Sequence, residues 1–197
     1  MDNNNIKLSI LICSVENVER EENLKKIIHE LKKQISENYA ENIVEILVEK
    51  DNGTMSVGKK RNLLIEKAQG EYICFIDDDD FISINYINTI LQNLTKDILI
   101  IRIQHIVDGI RVRDIQPSLY IDNLETTNVV FKNNHLHLCP HKRSIALYNK
   151  FNEINFAEDL QYSQSITRLI TSYDIILDET PLYIYNDNQK KSLTRNV

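Results

Sequence analysis

EYICFIDDDD, residues Glu71 to Asp80, joins a short apolar run to four consecutive aspartates. The apolar run, Tyr72 to Ile76, follows Gly70 and precedes the charges, a pattern typical of a strand buried on both faces of a parallel sheet. The aspartates would then lie at the carboxyl end of that strand, where open α/β sheets bind ligands. A solvated acidic turn is the alternative interpretation of such a charge run.

The chemistry of these four side chains favours a cation. Adjacent carboxylates repel one another unless cations or hydrogen-bond donors compensate their charge. Oxygen ligands suit Mg²⁺ or Mn²⁺, and Mg²⁺ in proteins is usually held by one or two carboxylates together with water and substrate phosphates. The stretch therefore predicts metal-assisted handling of a phosphorylated ligand.

Strand and helix patterns alternate around this stretch. Strand-like runs cover Lys7–Ser14 and Ile43–Glu49, and apolar residues at helical spacing predict helices over Glu21–Glu37, Val57–Ala68 and Ile84–Leu94. This alternation predicts a parallel sheet with right-handed crossovers and helices on its faces.

The second half has a mixed pattern. Ile98–Val107 and Ile110–Ile115 flank Asp108-Gly109, which predicts a hairpin. The polar segment from Asn123 to Asn134 favours no element. The remaining predicted elements are a short helix after HLHLCP, a helix that follows Phe156 and runs to Ile170, and closing strands over Ser172–Leu177 and Leu182–Tyr185. We expect one α/β domain over residues 1–197 with a mixed, mainly parallel central sheet.

Composition narrows the class of protein. A chain of 197 residues suits one domain, and a net charge of -6 argues against a surface built for nucleic-acid phosphates. No apolar run has the length of a membrane span, and MDNNNIKLSI lacks the features of a signal peptide, so we expect a cytoplasmic protein without a transmembrane segment. The odd number of cysteines, Cys13, Cys74 and Cys139, predicts free thiols rather than a disulfide framework.

Several motifs occur together in a fixed order. The sequence resembles the inverting glycosyltransferases of family 2, which have the GT-A fold, from about Leu8 to Leu94 and again from about His137 to Leu193. The motifs that carry the resemblance are a first strand ending near Ser14, Asp51 after the second strand, KKRN before the third, FIDDDD after it, and AEDLQYS further on. The resemblance implies a GT-A, Rossmann-like sheet with helices on both faces, residues 1–95 binding a nucleotide sugar and 96–197 supplying the acceptor site and the catalytic base.

The resemblance also implies roles for the aspartates. Asp77 would contact the ribose or uracil of the donor, and Asp79 would ligate the Mn²⁺ or Mg²⁺ that bridges the diphosphate. The run of four leaves the register open by one position, so Asp78 joins the nucleotide-binding residues and Asp80 joins the metal ligands. The donor implied is a UDP-sugar, and the acceptor is a saccharide or another hydroxyl compound.

Further donor contacts follow from the same resemblance. Asp51 would hydrogen-bond the uracil ring, Ser14 and Glu16 would lie beside the base, and Arg61 and Asn62 match a basic residue followed by Asn. Asp-Asn-Gly is also an ordinary turn sequence. Lys59 and Lys60 precede Arg61 on a predicted helix whose face would point at the same site, and a solvated helical face is the alternative for these two lysines.

An inverting transfer needs a base that deprotonates the acceptor hydroxyl. Glu158-Asp159 matches the family's Glu-Asp motif, so the resemblance implies that Asp159 is the base and that Glu158 orients the acceptor or the loop. The alternative is helix capping, since carboxylates in a first turn are favoured by the helix dipole. His141 and Lys191 are the remaining candidates, for contact with the acceptor or the diphosphate. A solvated tail is the alternative for Lys191.

Two other classes of protein compete with this interpretation. Haloacid dehalogenase-like phosphohydrolases also place Asp-x-Asp after a buried strand, although usually after the first one. A non-catalytic module that binds sugar nucleotides is the second alternative, because the chain is short for the family. The sequence leaves the sugar, the acceptor and the oligomeric state open.

Overall fold

The computed structural model describes residues 6–120, 124–133, 135–176 and 180–187. Leu177, the last residue of a predicted strand, and the basic tail with Lys191 lie outside the described residues. The elements of the described part are, in chain order, β1 (Leu8–Val15), α1 (Val18–Glu37), β2 (Val44–Asp51), α2 (Val57–Lys67), β3 (Tyr72–Phe75), β4 (Phe81–Ile82), α3 (Tyr86–Asn93), β5 (Ile98–Ile100), β6 (Ile103–Val107), β7 (Ile110–Pro117), β8 (Leu124–Glu125), β9 (Val129–Lys132), a 3-10 turn (Leu136–Leu138), β10 (His141–Lys142), α4 (Arg143–Tyr148), α5 (Glu158–Thr167), β11 (Tyr173–Ile175) and β12 (Tyr183–Asp187).

A first sheet has the order β11-β5-β10-β3-β1-β2. Strands β2, β1 and β3 are parallel, β11 is parallel to β5, and β10 runs antiparallel between β3 and β5. All four residues of β3 are buried, as its uninterrupted apolar sequence predicts. Helices α1 and α2 both pack on β1, while α1 also contacts α3 and α2 contacts α4. The predicted mixed, mainly parallel α/β sheet is confirmed.

A second sheet has the order β4-β12-β6-β7-β9-β8. It includes the predicted hairpin, whose turn residues Asp108 and Gly109 have φ angles of 47° and 82°, as a type I′ turn requires. The prediction of one strand over Ile98–Val107 is wrong, because the chain leaves the first sheet after Ile100 and enters the second at Ile103. The sequence on both sides of this change is rich in isoleucine, so its composition gives no signal for the change of sheet.

Several boundaries differ from the predictions. Helix α1 begins at Val18, three residues early, because the side chain of Asn17 accepts the backbone N–H of Glu19 at 2.9 Å and caps the helix. The polar segment without a predicted element contains β8 and β9, and α5 ends at Thr167 rather than Ile170.

The three cysteines are free thiols, as predicted. Within the described ranges, the helices are all too short or too polar to cross a membrane.

Candidate functional site

A cleft of about 530 Å³ opens where the carboxyl ends of β1 and β3 meet the first turn of α5 and strand β12. This volume is in the range of small-molecule sites, about 300–1,000 Å³. The cleft collects side chains that are far apart in the sequence. The predicted site residues that line it are Ser14, Arg61, Asp77, Asp78, Asp79, Glu158 and Asp159.

The four aspartates fall into two pairs. The side chains of Asp77 and Asp79 are about one-third exposed and line the cleft. Asp78 and Asp80 are buried, with 4% and 3% of their surface exposed. Asp77, Asp78 and Asp79 thus all border the cleft, but only Asp77 and Asp79 have partly exposed side chains.

Asp80 is held inside the protein and does not line the cleft. It accepts hydrogen bonds from the hydroxyl of Tyr183 at 2.6 Å and from the backbone N–H of Asn186 at 2.8 Å. Burial, reinforced by Asp77 and Asp79, raises the pKa of Asp80 well above its usual range. These contacts fasten the acidic segment to β12.

Arg20 is a cation that the sequence does not single out. Its guanidinium forms ion pairs with Asp78 and with Asp79, the latter at 2.9 Å between Nη1 and Oδ2. Asp78 also accepts a hydrogen bond from the hydroxyl of Ser14 at 2.6 Å. Burial, together with Asp77 and Asp78, raises the pKa of Asp79 to about 6 even though Arg20 opposes this shift. The pairing with Arg20 is therefore outweighed by the burial of Asp79 and by the two neighbouring acids.

Lys60 is a second cation beside the acidic segment. Only 2% of its surface is exposed, and its Nζ donates to the carbonyl of Ser14 at 2.8 Å and to Asp51 Oδ1 at 2.7 Å. A solvated face is thus wrong for Lys60, although Lys59 is exposed. Burial opposes the charge of Asp51, but the bonds from Lys60 and from the backbone N–H of Met55 lower the pKa of Asp51 to about 2.

Arg61 connects the two halves of the cleft. Its Nη2 lies 3.3 Å from Asp77 Oδ1, and its Nη1 lies 3.1 Å from Glu158 Oε1. The guanidinium carbon is 5.5 Å from the ring centre of Phe75 and 5.2 Å from that of Phe151, within the range of cation–π contacts. Burial opposes the charge of Arg61, but Asp77 and the other nearby acids outweigh it and raise its pKa.

The two acids of α5 follow a strained residue. Ala157 has a φ of 61°, in the left-handed region that residues with a side chain rarely occupy, and such outliers cluster at functional sites. Asp159 Oδ1 accepts the backbone N–H of Leu160 at 2.8 Å. Both acids lie in the first turn of α5, where the helix dipole favours carboxylates, but neither forms a side-chain cap hydrogen bond. Burial raises the pKa of Glu158 and of Asp159, and Arg61 opposes both shifts.

Other predicted site residues are not brought to the cleft. The amide of Asn62 donates to the carbonyl of Phe151 at 2.9 Å and accepts its N–H at 2.8 Å, which uses the side chain structurally. Glu16 is exposed and is not part of the cleft lining. Asp51 is hydrogen-bonded to Lys60 and is not part of the lining either.

His141 is also distant from the cleft lining. It is fully buried in β10, where its ring nitrogens lie 2.8 Å from the carbonyl of Cys139 and 2.7 Å from the hydroxyl of Tyr162. Burial lowers the pKa of His141 to about 4, so the imidazole is neutral at pH 7. The histidines that do line the cleft are His135 and His137. No sequence signal distinguishes these two histidines from His141.

Aromatic side chains form part of the remaining wall. Tyr183 is fully buried in a closing strand, as predicted, but Tyr185 of the same strand lines the cleft. The ring of Tyr185 stacks on His105 with the centres 5.1 Å apart. Phe156, in the segment before α5, lines the cleft and is 71% exposed.

A parallel βαβ half with acids at the end of its third strand, facing a second carboxylate pair across one cleft, defines a GT-A-type α/β protein. The chain belongs to the glycosyltransferase like family 2, whose family model matches residues 19–168. No curated protein matches the sequence.

Solved structures agree with this fold. Staphylococcus aureus TarS 1–349 in complex with UDP superposes with a TM-score of 0.65 at 16% identity, over 92% of this chain and 60% of that one. The complex of the same protein with UDP-GlcNAc gives 0.62 at 16% identity, over 92% and 59%. A mutant of Drosophila β1,4-galactosyltransferase 7, in complex with manganese, UDP-Gal and xylobiose, gives 0.52 at 11% identity, over 90% and 70%. The chain thus spans about 60% of the TarS fragment.

Proposed function

We propose that this protein is an inverting, metal-dependent glycosyltransferase that moves a hexose from a UDP-sugar to a hydroxyl of a saccharide or other acceptor. The supporting observation is the pairing of Arg61 with both Asp77 and Glu158, which brings the acids of β3 and those of α5 to one cleft. A donor held by the first group and an acceptor activated by the second would meet there.

The donor half offers cations as well as acids. Arg20, Lys60 and Arg61 line the cleft beside Asp77, and their positive charge suits a diphosphate. Asp77, which faces the cleft, is the residue we assign to the nucleoside, and Ser14 supports the segment through Asp78. The TarS complexes contain UDP and UDP-GlcNAc, which favours a uridine nucleotide as the first donor to test.

A divalent cation fits the chemistry of the acidic segment. Asp77 and Asp79 present carboxylate oxygens to the cleft. No group of three or more His, Cys, Asp or Glu within the described ranges is arranged to hold a metal ion. Asp79 would therefore hold Mn²⁺ or Mg²⁺ with few other protein ligands, as is usual for Mg²⁺. Such a cation would stabilise the negative charge that develops on the leaving diphosphate.

Asp159 is the base in this proposal. Its raised pKa makes the carboxylate more basic and so better suited to take a proton from an acceptor hydroxyl. Glu158 is directed at Arg61, so we assign it to positioning that guanidinium rather than to proton transfer. The acceptor oxygen would bond to the anomeric carbon from the side opposite the leaving UDP as the bond to the diphosphate breaks and the hydroxyl proton passes to Asp159, and this direct displacement would invert that carbon.

We also propose that residues 1–197 act as one domain, in which residues 1–95 bind the donor and 96–197 supply the base and acceptor contacts. Strand pairing supports this, because β10 lies between β3 and β5 and β4 pairs with β12. Family membership leaves the haloacid dehalogenase alternative without support. A binding module without turnover remains the outcome that activity measurements must exclude.

Calorimetric titration of UDP with and without Mn²⁺ tests the donor site, with GDP and a free monosaccharide as controls. Metal-dependent UDP binding is expected, and Asp79→Asn should abolish it while Glu153→Gln, an exposed acid on the loop before α5, should not. Binding of no nucleotide under any metal would refute the proposal.

The base is tested separately by sugar transfer. Asp159→Asn should retain UDP binding but lose transfer by a factor of about 10² to 10⁴, the range for a general base. Undiminished sugar transfer by this variant would show that a group other than Asp159 takes the proton from the acceptor hydroxyl. Nucleotide binding by the wild type without any transfer or donor hydrolysis would instead identify a binding module.

A further inference from the structure

Phe156 presents a large apolar surface at the cleft. Its side chain is 71% exposed and lines the cleft two residues before Glu158 and three before Asp159. Single exposed apolar residues are common on protein surfaces, so exposure alone indicates no function. What distinguishes Phe156 is its position beside the acids and the way its loop is held.

The loop that carries Phe156 is fastened to the start of α2. The backbone N–H of Gly58 donates to the carbonyl of Ile154 at 3.2 Å, and the N–H of Val57 donates to Asn155 Oδ1 at 3.0 Å. Ala157, directly after Phe156, has the left-handed φ of 61°. The exposed ring is therefore held by fixed backbone on both sides, as in a preformed contact surface.

The surroundings of the ring limit what can pack on it. An acceptor hydroxyl must come within hydrogen-bond distance of Asp159 to be deprotonated, about 2.6–3.2 Å. Glu158 and Asp159 line the cleft beside Phe156, and carboxylates can accept further hydrogen bonds that a hydroxyl-rich molecule donates and an acyl chain does not. A sugar ring has both an apolar C–H face and a rim of hydroxyls, and aromatic side chains with a few polar groups are the usual lining of such sites.

We propose that Phe156 is a specificity-determining residue of the acceptor site, on which the apolar face of a saccharide acceptor packs. His137 and Asn186 line the same cleft as Phe156. This inference rests on the proposed glycosyltransferase function and adds to it the chemical class of the acceptor and the surface that selects it.

Saturation-transfer NMR tests the inference without turnover. The protein is saturated with UDP and Mn²⁺, and methyl glycosides of glucose, galactose, N-acetylglucosamine and xylose are titrated against wild type, Phe156→Ala and Phe156→Tyr. At least one glycoside should bind to the wild type. Its affinity for Phe156→Ala should be about tenfold lower, the factor expected for loss of one aromatic contact, and its affinity for Phe156→Tyr should equal that of the wild type. Tyr148→Ala, which removes an aromatic ring that is 81% exposed outside the cleft lining, is the matched control and should bind like wild type.

The outcomes separate this inference from the function on which it rests. UDP affinity, measured by calorimetry on the same variants, should be unchanged by Phe156→Ala, which also verifies folding. UDP binding without binding of any glycoside, or equal glycoside affinity of wild type and Phe156→Ala, would overturn the inference and leave the donor site intact. Failure of the wild type to bind UDP would overturn the proposed function itself.

Discussion

Replacing Gly58 by alanine should reverse the usual effect of that substitution in a helix. Gly58 is the second residue of α2, and alanine inside a helix is normally more stable than glycine by about 0.5–1 kcal/mol. Here an added Cβ would lie 1.9 Å from the carbonyl oxygen and 2.9 Å from the carbonyl carbon of Asn152. Both atoms are backbone, so the loop itself must move.

The size of the movement follows from the contact. Ordinary van der Waals contact begins at 3.4 Å, so the Asn152 oxygen must retreat by about 1.5 Å along the contact direction. Overpacking of this kind costs about 1–3 kcal/mol, which exceeds the gain in helix propensity. We expect Gly58→Ala to lower the free energy of unfolding by about 1 kcal/mol, because the two effects oppose each other.

The functional effect should be larger than the effect on stability. The displaced loop leads directly into Glu158 and Asp159, and a misplacement of about 1 Å at a reacting group can reduce catalysis about 10²-fold. The rate of sugar transfer should therefore fall about 10²-fold. Metal-dependent UDP binding, which we assign to the acids at the end of β3, should stay unchanged.

Urea denaturation, UDP calorimetry and a sugar-transfer assay on one preparation measure the three quantities. Gly109→Ala is the control, because its Cβ meets no atom within 4 Å and only its φ of +82° is unfavourable, and because Gly109, in the β6–β7 turn, is not part of the cleft lining. It should lose some stability and no transfer activity. If Gly58→Ala is more stable than wild type and fully active, the loop contact does not position the base.

Three further predictions concern buried polar groups. Lys60→Met should lower the free energy of unfolding in urea by about 3 kcal/mol, since it leaves Asp51 buried without its cation, and Asp51→Asn in the same chain should restore part of the loss. Because the folded-state pKa of Asp51, about 2, lies below its usual 3.8, its stabilising effect is full above pH 4 and disappears as the pH falls toward 2. The difference in unfolding free energy between wild type and Asp51→Asn should narrow over that interval, and a constant difference would contradict the assignment. Tyr183→Phe should cost about 1–3 kcal/mol in the same assay, because it removes the hydroxyl that donates to buried Asp80; an unchanged midpoint would show that this bond is not needed.

The first half of the fold was predictable because its signals are local. Strand β3 is a short, uninterrupted apolar run and is buried throughout, and α2 starts with a local cap, the side chain of Ser56 accepting the N–H of Lys59 at 3.3 Å. The acids at the end of β3 reach a cleft because carboxyl ends of parallel strands meet at one edge of a sheet. The division of the isoleucine-rich run between two sheets left no mark in composition or spacing.

The parts of the site that sequence analysis missed depend on distant partners. Arg20 contacts acids 58 and 59 positions along the chain, and Asn62 is occupied by the backbone of Phe151, 89 residues away. Only Lys60 carried a usable signal. It precedes buried Leu64 by one helical turn and so shares its face, which indicates burial.

The insertion of β10 between β3 and β5 determines when this protein can fold as it is made. His141 pairs with Ile73, so the edge of β3 stays open on the ribosome until the segment around residue 142 has emerged, several seconds later at typical rates of synthesis. Until then a fully apolar strand presents unpaired backbone, the kind of edge that favours association with other chains. A nascent chain released after residue 95 would carry the complete acidic motif and still lack the strand that closes its own sheet, so such fragments should need chaperones to stay in solution.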